Sequence, residues 1–193
     1  MPVFLVILVV GFVCNTASAF TTAYSHRWGE RRGSLVTAVL RNILGIPVWA
    51  AGFVLALRAP SSFLFAPSGA SRAAGIVFIL AGAAVITVAL VTIRSRAAVP
   101  STSDALVQTG VYAHVRHPIH SGTFLEFLGL FLMKPSASVA AACGLGVVWL
   151  LVQTKCEEID LMKRLPGYRA YQDAVPRFFP RWVRRGAGDG RHS

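Results

Sequence analysis

The stretch GVYAHVRHPIHSG, residues 110–122, places three histidines and one arginine in a chain that is otherwise mostly apolar. Arg116, His117 and Pro118 stand at the predicted start of a helix, where proline is favoured and the first backbone N–H groups are unpaired. Such a helix end attracts anions, and Arg116 would strengthen the attraction. We therefore expect a carboxylate or phosphate of a ligand to bind here. The alternative is an ordinary basic flank of a membrane helix.

Glu157 and Glu158 are the second group of residues that could do chemistry. They directly follow the last apolar segment, on the membrane face where we also expect His117. Two neighbouring carboxylates could bind a cation or an amine opposite the histidine, or they could simply begin a solvated amphipathic helix. An anion-binding end facing a cation-binding end suits a zwitterionic, amino-acid-like ligand.

The composition places these groups in a membrane protein. Hydrophobic residues make up 54% of the chain and charged residues only 14%, whereas soluble domains carry about 25% charged residues. The net charge of +11 is concentrated between the apolar segments and in the tail, which indicates orientation in an anionic lipid bilayer and not nucleic-acid binding. Cys14, Cys143 and Cys156 are far apart and show no metal-binding spacing, so we expect neither a disulfide nor a metal site.

Apolar segments of about 20 residues predict an all-α integral membrane protein with about five transmembrane helices. They cover approximately residues 2–24, 35–57, 72–93, 117–133 and 136–153. The first segment could instead be a signal peptide, because Ala17, Ser18 and Ala19 resemble a cleavage site. No lysine or arginine precedes it, however, so we expect a retained helix.

The short connection between the last two segments predicts an antiparallel helical hairpin that brings His117 close to Glu157. A charged amphipathic helix, interrupted by Pro166 and Gly167, is expected to follow over residues 154–172. Gly75 and Gly82 in the third segment indicate close packing between helices.

Basic residues alternate between the two sides of this predicted bundle. One side carries Arg27, Arg31, Arg32, Arg94, Arg96, Arg116 and the tail from Lys155 onward, whereas the other side has only Arg58, Arg72 and Lys134. Positive residues favour the cytoplasmic side. We therefore expect a multi-pass protein of a bacterial inner membrane, with its N-terminus outside and its C-terminus in the cytoplasm.

Two stretches, LVQTGVYAHVRHPIHSG and EEIDLMKRLPGYRAYQDAVPRFFP, together resemble the isoprenylcysteine carboxyl methyltransferase family and its phospholipid methyltransferase relatives. The RHP triplet, the hairpin, E-E-x-x-L and the closing P-R-F-x-P occur in the family's order over about residues 104–181. The resemblance implies S-adenosylmethionine as cofactor, bound in a pocket that faces the cytoplasm. It also implies a lipophilic acceptor, either a small molecule or a lipidated group, that enters from the membrane.

The resemblance also implies which residues form the site. Contacts to the cofactor fall on Leu106, Val107, Tyr112, His117, Pro118 and Glu157, and Arg116 joins them through its charge at the anion site. His120 stands where the family usually has tyrosine, and Gln153 where many relatives have an arginine thought to meet an acidic acceptor. His120 and Glu158 are the catalytic candidates for removing a proton from an amine or alcohol, and Gln153 is the candidate for substrate binding.

On this reading residues 1–103 hold the first three transmembrane helices, residues 104–181 form the methyltransferase region with the last two, and residues 182–193 are a disordered basic tail. Two alternatives remain. One is an NADPH-dependent membrane sterol or enone reductase with a similar C-terminal hairpin. The other is a non-catalytic membrane scaffold, which the departures at His120 and Gln153 would favour.

Overall fold

A computed structural model of the chain describes residues 1–93 and 105–181, and over these ranges the fold is all-helical, as the sequence predicts. Its elements are α1 (Val3–Ala17), α2 (Thr21–Trp28), α3 (Glu30–Val39), a π-helical turn (Leu40–Gly45), α4 (Ile46–Arg58), α5 (Gly69–Ile93), a 3₁₀ turn (Gly110–Ala113), α6 (Pro118–Met133), α7 (Ala137–Arg164) and α8 (Tyr168–Ala174). The expected basic tail, residues 182–193, and the basic pair Arg94 and Arg96 lie outside the described residues.

The described helices include three that are long and apolar enough to cross a membrane, or four if α1 and α2 form one span. The three are Glu30–Arg58, which joins α3, the π-helical turn and α4, then α5, and then α7. The predicted first span is not one straight helix, because α1 and α2 meet at a bend of 62°. The 16 residues of α6 extend only about 24 Å, less than the thickness of about 30 Å that a perpendicular span must cross.

The ends of the helices nevertheless lie on two opposite faces of the bundle. At one face the α4–α5 connection meets the α6–α7 connection, where the Leu64 N–H donates to the Pro135 carbonyl at 2.8 Å and the Ala137 N–H to the Ser62 carbonyl at 2.9 Å. At the other face the Thr22 N–H donates to Asp160 Oδ1 at 3.0 Å. The short helix α6 runs from one face to the other.

The position of α6 is fixed by its antiparallel pairing with α7. His120, near the start of α6, bonds to Thr154, and the Cys143 thiol, near the start of α7, contacts the Phe127 carbonyl at 3.4 Å. The predicted hairpin is therefore confirmed. It places the beginning of α6 beside the second half of α7.

Close packing of α5 on α6 depends on glycine, as the sequence predicts. A Cβ at Gly75 would lie 2.7 Å from the carbonyl oxygen of Gly129, and one at Gly82 would lie 2.5 Å from that of Gly122. Both distances are shorter than any non-bonded contact of this kind, so only glycine permits the two backbones to approach this closely.

The core of the bundle is a cluster of buried aromatic and aliphatic side chains from α1, α4, α6 and α7. Phe12 of α1 stacks on Trp149 of α7 with ring centres 4.3 Å apart, and Phe53 of α4 stacks on Phe127 of α6 at 4.9 Å. Stacked pairs of this kind add to the free energy already gained by burying the rings. The cluster fixes α7 against both α1 and α6.

The charged segment over residues 154–172 is helical with a break at Pro166 and Gly167, as predicted, but its first part is not a separate helix. Instead, α7 continues without a break to Arg164. Leu165 then adopts an extended conformation, because the ring of Pro166 disfavours the helical conformation in the residue before it. Gly167 follows with φ of 83° and starts α8. As a result Glu157 and Glu158 lie on α7 itself, and the packing of α7 in the bundle fixes the directions of their side chains.

Candidate functional site

The Arg-His-Pro turn before α6 is held in place by the segment after α8. The Arg116 N–H donates to the Pro176 carbonyl at 2.9 Å, and the His117 N–H donates to the Arg177 carbonyl at 3.0 Å. These two amides are therefore engaged within the protein and are not free to bind an anion. The closing P-R-F-x-P segment thus has a structural part in building the site.

Glu158 is the centre of a buried ionic network. Its carboxylate accepts hydrogen bonds from the Arg116 guanidinium at 2.9 Å and from the Arg177 guanidinium at 2.6 Å. His117 Nε2 lies 3.3 Å from the same carboxylate. Arg116 also donates to the Gln172 carbonyl at 2.6 Å. With its side chain only 1% exposed, Glu158 binds protein groups on all sides and connects α7 to the turn and to the C-terminal segment.

Glu157, one residue earlier, keeps 32% of its side chain exposed. The Gln153 amide donates to its Oε1 at 2.7 Å. His117 Nδ1 lies 3.6 Å from Oε2, and His120 Nε2 lies 3.9 Å from Oε1. Glu157 therefore offers an oriented carboxylate that a ligand can reach.

Hydrogen bonding fixes the proton on the His120 ring. The Thr154 hydroxyl has a single proton, which it donates to the Leu150 carbonyl at 2.7 Å. His120 Nδ1, 2.8 Å from the same hydroxyl oxygen, must therefore be the donor in that contact. In the neutral ring Nε2 then carries a lone pair, and it faces Glu157. The ring itself stacks on His117 with centres 5.4 Å apart.

His117, the residue that precedes α6, is buried between the two glutamates. Burial by itself lowers the pKa of His117, but hydrogen bonds with Glu157 and Glu158, together with their negative charge, outweigh it and raise the pKa above the ordinary value. A raised pKa means that His117 holds its proton, and with it a positive charge, to higher pH than a solvated histidine.

These side chains line a cavity of about 550 Å³, a size typical of small-molecule sites. The cavity has a polar end at the turn and α7. Its apolar walls come from α4, α5 and α7 and include Trp49, Ile86, Leu90, Trp149 and Leu150. Two buried polar atoms on these walls, Asn15 Oδ1 and Trp49 Nε1, have no hydrogen-bond partner within the described part of the chain.

Eight of the residues singled out from the sequence line this cavity: Leu106, Val107, Tyr112, Arg116, His117, Pro118, His120 and Glu157. Gln153 and Glu158 are buried and lie behind the cavity wall, where they bind other protein groups. The guanidinium of Arg116 is likewise turned toward Glu158.

Sequence reasoning missed two residues that build the site. Arg177 binds Glu158 from the C-terminal segment, and Thr154 fixes the His120 ring. The position of Arg177 within P-R-F-x-P was a usable signal. No sequence pattern marks Thr154, because its hydrogen bond to His120 exists only where α7 packs against α6.

Comparison with known proteins gives two matches. The phospholipid methyltransferase family model matches residues 70–169, which include α5, the turn and the α6–α7 hairpin. The nickel-cobalt-cadmium resistance protein NccN of Alcaligenes xylosoxydans xylosoxydans is 34% identical over 80 residues, which are 41% of this chain and 38% of that protein. No solved structure matches the chain.

Proposed function

The chain belongs to the phospholipid methyltransferase family, and we propose that it uses S-adenosylmethionine to methylate a lipophilic acceptor inside the membrane. The membrane helices and the family support methyl transfer at a membrane in general. We propose in addition which cofactor and which kind of acceptor the protein uses, and what individual residues contribute.

One observation supports it above the others: a single cavity joins an oriented polar end to a long apolar wall. A methyltransferase acting on a lipid must bring a polar cofactor and an apolar acceptor into contact away from water. The polar end is made by His117 and Glu157, and the apolar wall lies between α4, α5 and α7.

The residues at the polar end fit the amino-acid part of S-adenosylmethionine. Glu157 presents a carboxylate for an ammonium group, and His117, with its raised pKa, presents a positive charge for a carboxylate. Tyr112, Leu106 and Val107 add aromatic and apolar surface beside them. Bound there, the cofactor would supply a methyl group on a positively charged sulfur.

The contribution of the protein is then to hold the reactants in line and to keep water out. Alignment of two reactants accounts for a large part of the rate in displacements of this kind. An amine or alcohol acceptor must also lose a proton. We assign that role to His120, because its Nε2 lone pair faces the cavity while Nδ1 is held by Thr154.

Two residues receive roles that differ from the sequence-based expectation. Glu158, expected as a catalytic candidate, is proposed as a positioning residue, because its carboxylate is buried and bound by two arginines. Gln153, expected to bind substrate, is proposed to orient Glu157 through their 2.7 Å hydrogen bond.

The experiment is transfer of a labelled methyl group from S-adenosylmethionine into a total membrane-lipid extract by the purified chain in nanodiscs, with identification of the product. Binding of the cofactor is measured separately. Glu157→Ala and His117→Ala each remove a charged partner, so we expect cofactor affinity to fall at least about tenfold. His114→Ala, in the same loop but exposed, is the matched control and should bind normally.

Other outcomes would redirect the assignment. Binding of NADPH in place of S-adenosylmethionine would favour the reductase alternative, and binding of neither by folded protein would favour the scaffold. Wild-type affinity in a folded Glu157→Ala chain would remove Glu157 from the cofactor site.

A further inference from the structure

We propose that His117, His120 and Glu157 together form a binding site for a divalent transition-metal ion. Each residue offers one ligand atom, and these atoms lie within 4.8 Å of one another. Ligand atoms bound tetrahedrally at about 2.0–2.1 Å from Zn²⁺ are about 3.3–3.4 Å apart. The histidine nitrogens lie 3.6 Å and 3.9 Å from the two different oxygens of Glu157, so around an ion the three ligand atoms would have to approach one another by at most about 1.5 Å.

The orientation of the His120 ring is that of a metal ligand. Metal-binding histidines almost always donate their second ring N–H to a fixed acceptor, which points the other nitrogen at the metal. Here Nδ1–H donates to the Thr154 hydroxyl, whose own proton is engaged by the Leu150 carbonyl. The lone pair of Nε2 is left facing Glu157.

His117 has the same arrangement with the roles of its nitrogens exchanged. Glu158 is held as a carboxylate by the guanidinium groups of Arg116 and Arg177, so it can only accept hydrogen bonds. His117 Nε2, 3.3 Å away, is therefore the donor, and Nδ1 faces Glu157. When His117 is neutral, both rings thus direct an unshared electron pair toward one carboxylate, an arrangement that a shared cation would stabilise. The ion takes the place of the second proton that His117 otherwise holds.

The ligand set selects the kind of ion. Two imidazoles and one carboxylate suit Zn²⁺, Co²⁺ and Ni²⁺, whereas Mg²⁺ and Ca²⁺ prefer sites made of oxygen. Glu157 and His120 line the cavity, so a fourth coordination position would open toward a ligand. The expectation from sequence was that no metal binds, because the spacing of the residues gives no metal motif; only the pairing of α6 with α7 brings the three together.

The site does not depend on the proposed enzymatic function. If that function holds, however, metal and cofactor use the same His117 and Glu157 and should exclude one another. Metal-loaded protein is then expected to bind S-adenosylmethionine at least about tenfold more weakly than metal-free protein. This is the same loss of affinity that we expect when either His117 or Glu157 is replaced by alanine.

The test uses the full chain without a polyhistidine tag, in nanodiscs, titrated with Co²⁺ and followed by visible absorption and by metal analysis. We expect one Co²⁺ per chain with the absorption of tetrahedral nitrogen and oxygen ligands. Glu157→Gln and His120→Asn remove a ligand and should each weaken binding at least tenfold. Thr154→Val leaves every ligand in place but removes the partner of the His120 ring, and should weaken Co²⁺ binding about 10–100-fold.

His114→Ala is the matched control, since His114 is an exposed histidine of the same loop, and its affinity should equal that of the wild-type chain. The proposal is overturned if the folded wild-type chain binds no stoichiometric Co²⁺, or if Glu157→Gln and Thr154→Val both retain wild-type affinity. Cofactor binding by metal-free protein is measured in parallel, so that failure of the metal site and failure of the methyltransferase proposal give different results.

Discussion

The side chains of Glu157 and Glu158 meet different surroundings because successive residues of a helix are rotated by about 100°. Glu157 faces the cavity and keeps about a third of its side chain exposed, at 32%, whereas Glu158 turns away from the cavity and is 1% exposed between two arginines. One carboxylate is thus available to a ligand, and its neighbour holds together the elements that shape the site.

Glu158→Ala should therefore destabilise the fold strongly. The substitution leaves the guanidinium of Arg116, whose side chain is 7% exposed, without its anion, and breaking a buried ion pair in this way costs about 3–5 kcal/mol. We expect a clear decrease in the free energy of unfolding, measured by chemical denaturation in detergent micelles.

Asp173→Ala is the control for this substitution. Its carboxylate lies 4.0 Å from Arg169 and is 71% exposed, and exposed pairs contribute only about 0–1 kcal/mol. If Glu158→Ala costs no more than Asp173→Ala, the network around Glu158 does not hold the turn in place.

The contact between helices α5 and α6 depends on the absence of a side chain at Gly82. Alanine is a better helix former than glycine by about 0.5–1 kcal/mol, but its Cβ would lie 2.5 Å from the Gly122 carbonyl oxygen. That oxygen belongs to the helix backbone and cannot turn aside as a flexible side chain would. The steric effect should therefore outweigh the gain in helix propensity.

Gly82→Ala is expected to lower stability by about 1–3 kcal/mol, the usual range for overpacking, as a reduced midpoint of thermal unfolding. Gly144→Ala makes the same change in α7, where a Cβ would have no neighbour within 4 Å. That variant should be neutral or slightly stabilised. Equal midpoints for both variants would contradict the close packing of α5 on α6.

These elements also show how far the sequence could be interpreted. Gly75 and Gly82 revealed helix packing because glycine in an apolar helix has few other uses. The end of α7 was predicted about ten residues too early, because the change from apolar to charged residues after Gln153 marks a membrane boundary and not the end of a helix. Thr154 could not be assigned, since its partner is set by tertiary contacts, and P-R-F-x-P marked Arg177 without showing that its partner is Glu158.

In the complete fold, the connections between helices contact one another in two groups. These are the same two groups that the distribution of basic residues predicts to lie on opposite sides of the membrane. Leu64, after α4, bonds to Pro135, after α6, and both segments belong to the side poor in basic residues. On the opposite face Thr22 bonds to Asp160, within the segments rich in arginine and lysine. The charge pattern and the packing therefore agree on which ends face the same solvent.

We infer from the positive-inside tendency that the face carrying the candidate site is cytoplasmic. Ala66→Cys lies in the α4–α5 connection and Ala170→Cys in α8, and both positions are exposed. In a background whose native cysteines are replaced by serine, a membrane-impermeant maleimide added to spheroplasts should label Ala66→Cys but not Ala170→Cys. After the membrane is permeabilised, the reagent should label both cysteine variants. The reverse pattern would place the site outside, and labelling of both positions in intact spheroplasts would contradict the arrangement of the two faces, because one impermeant reagent cannot reach both sides of a bilayer.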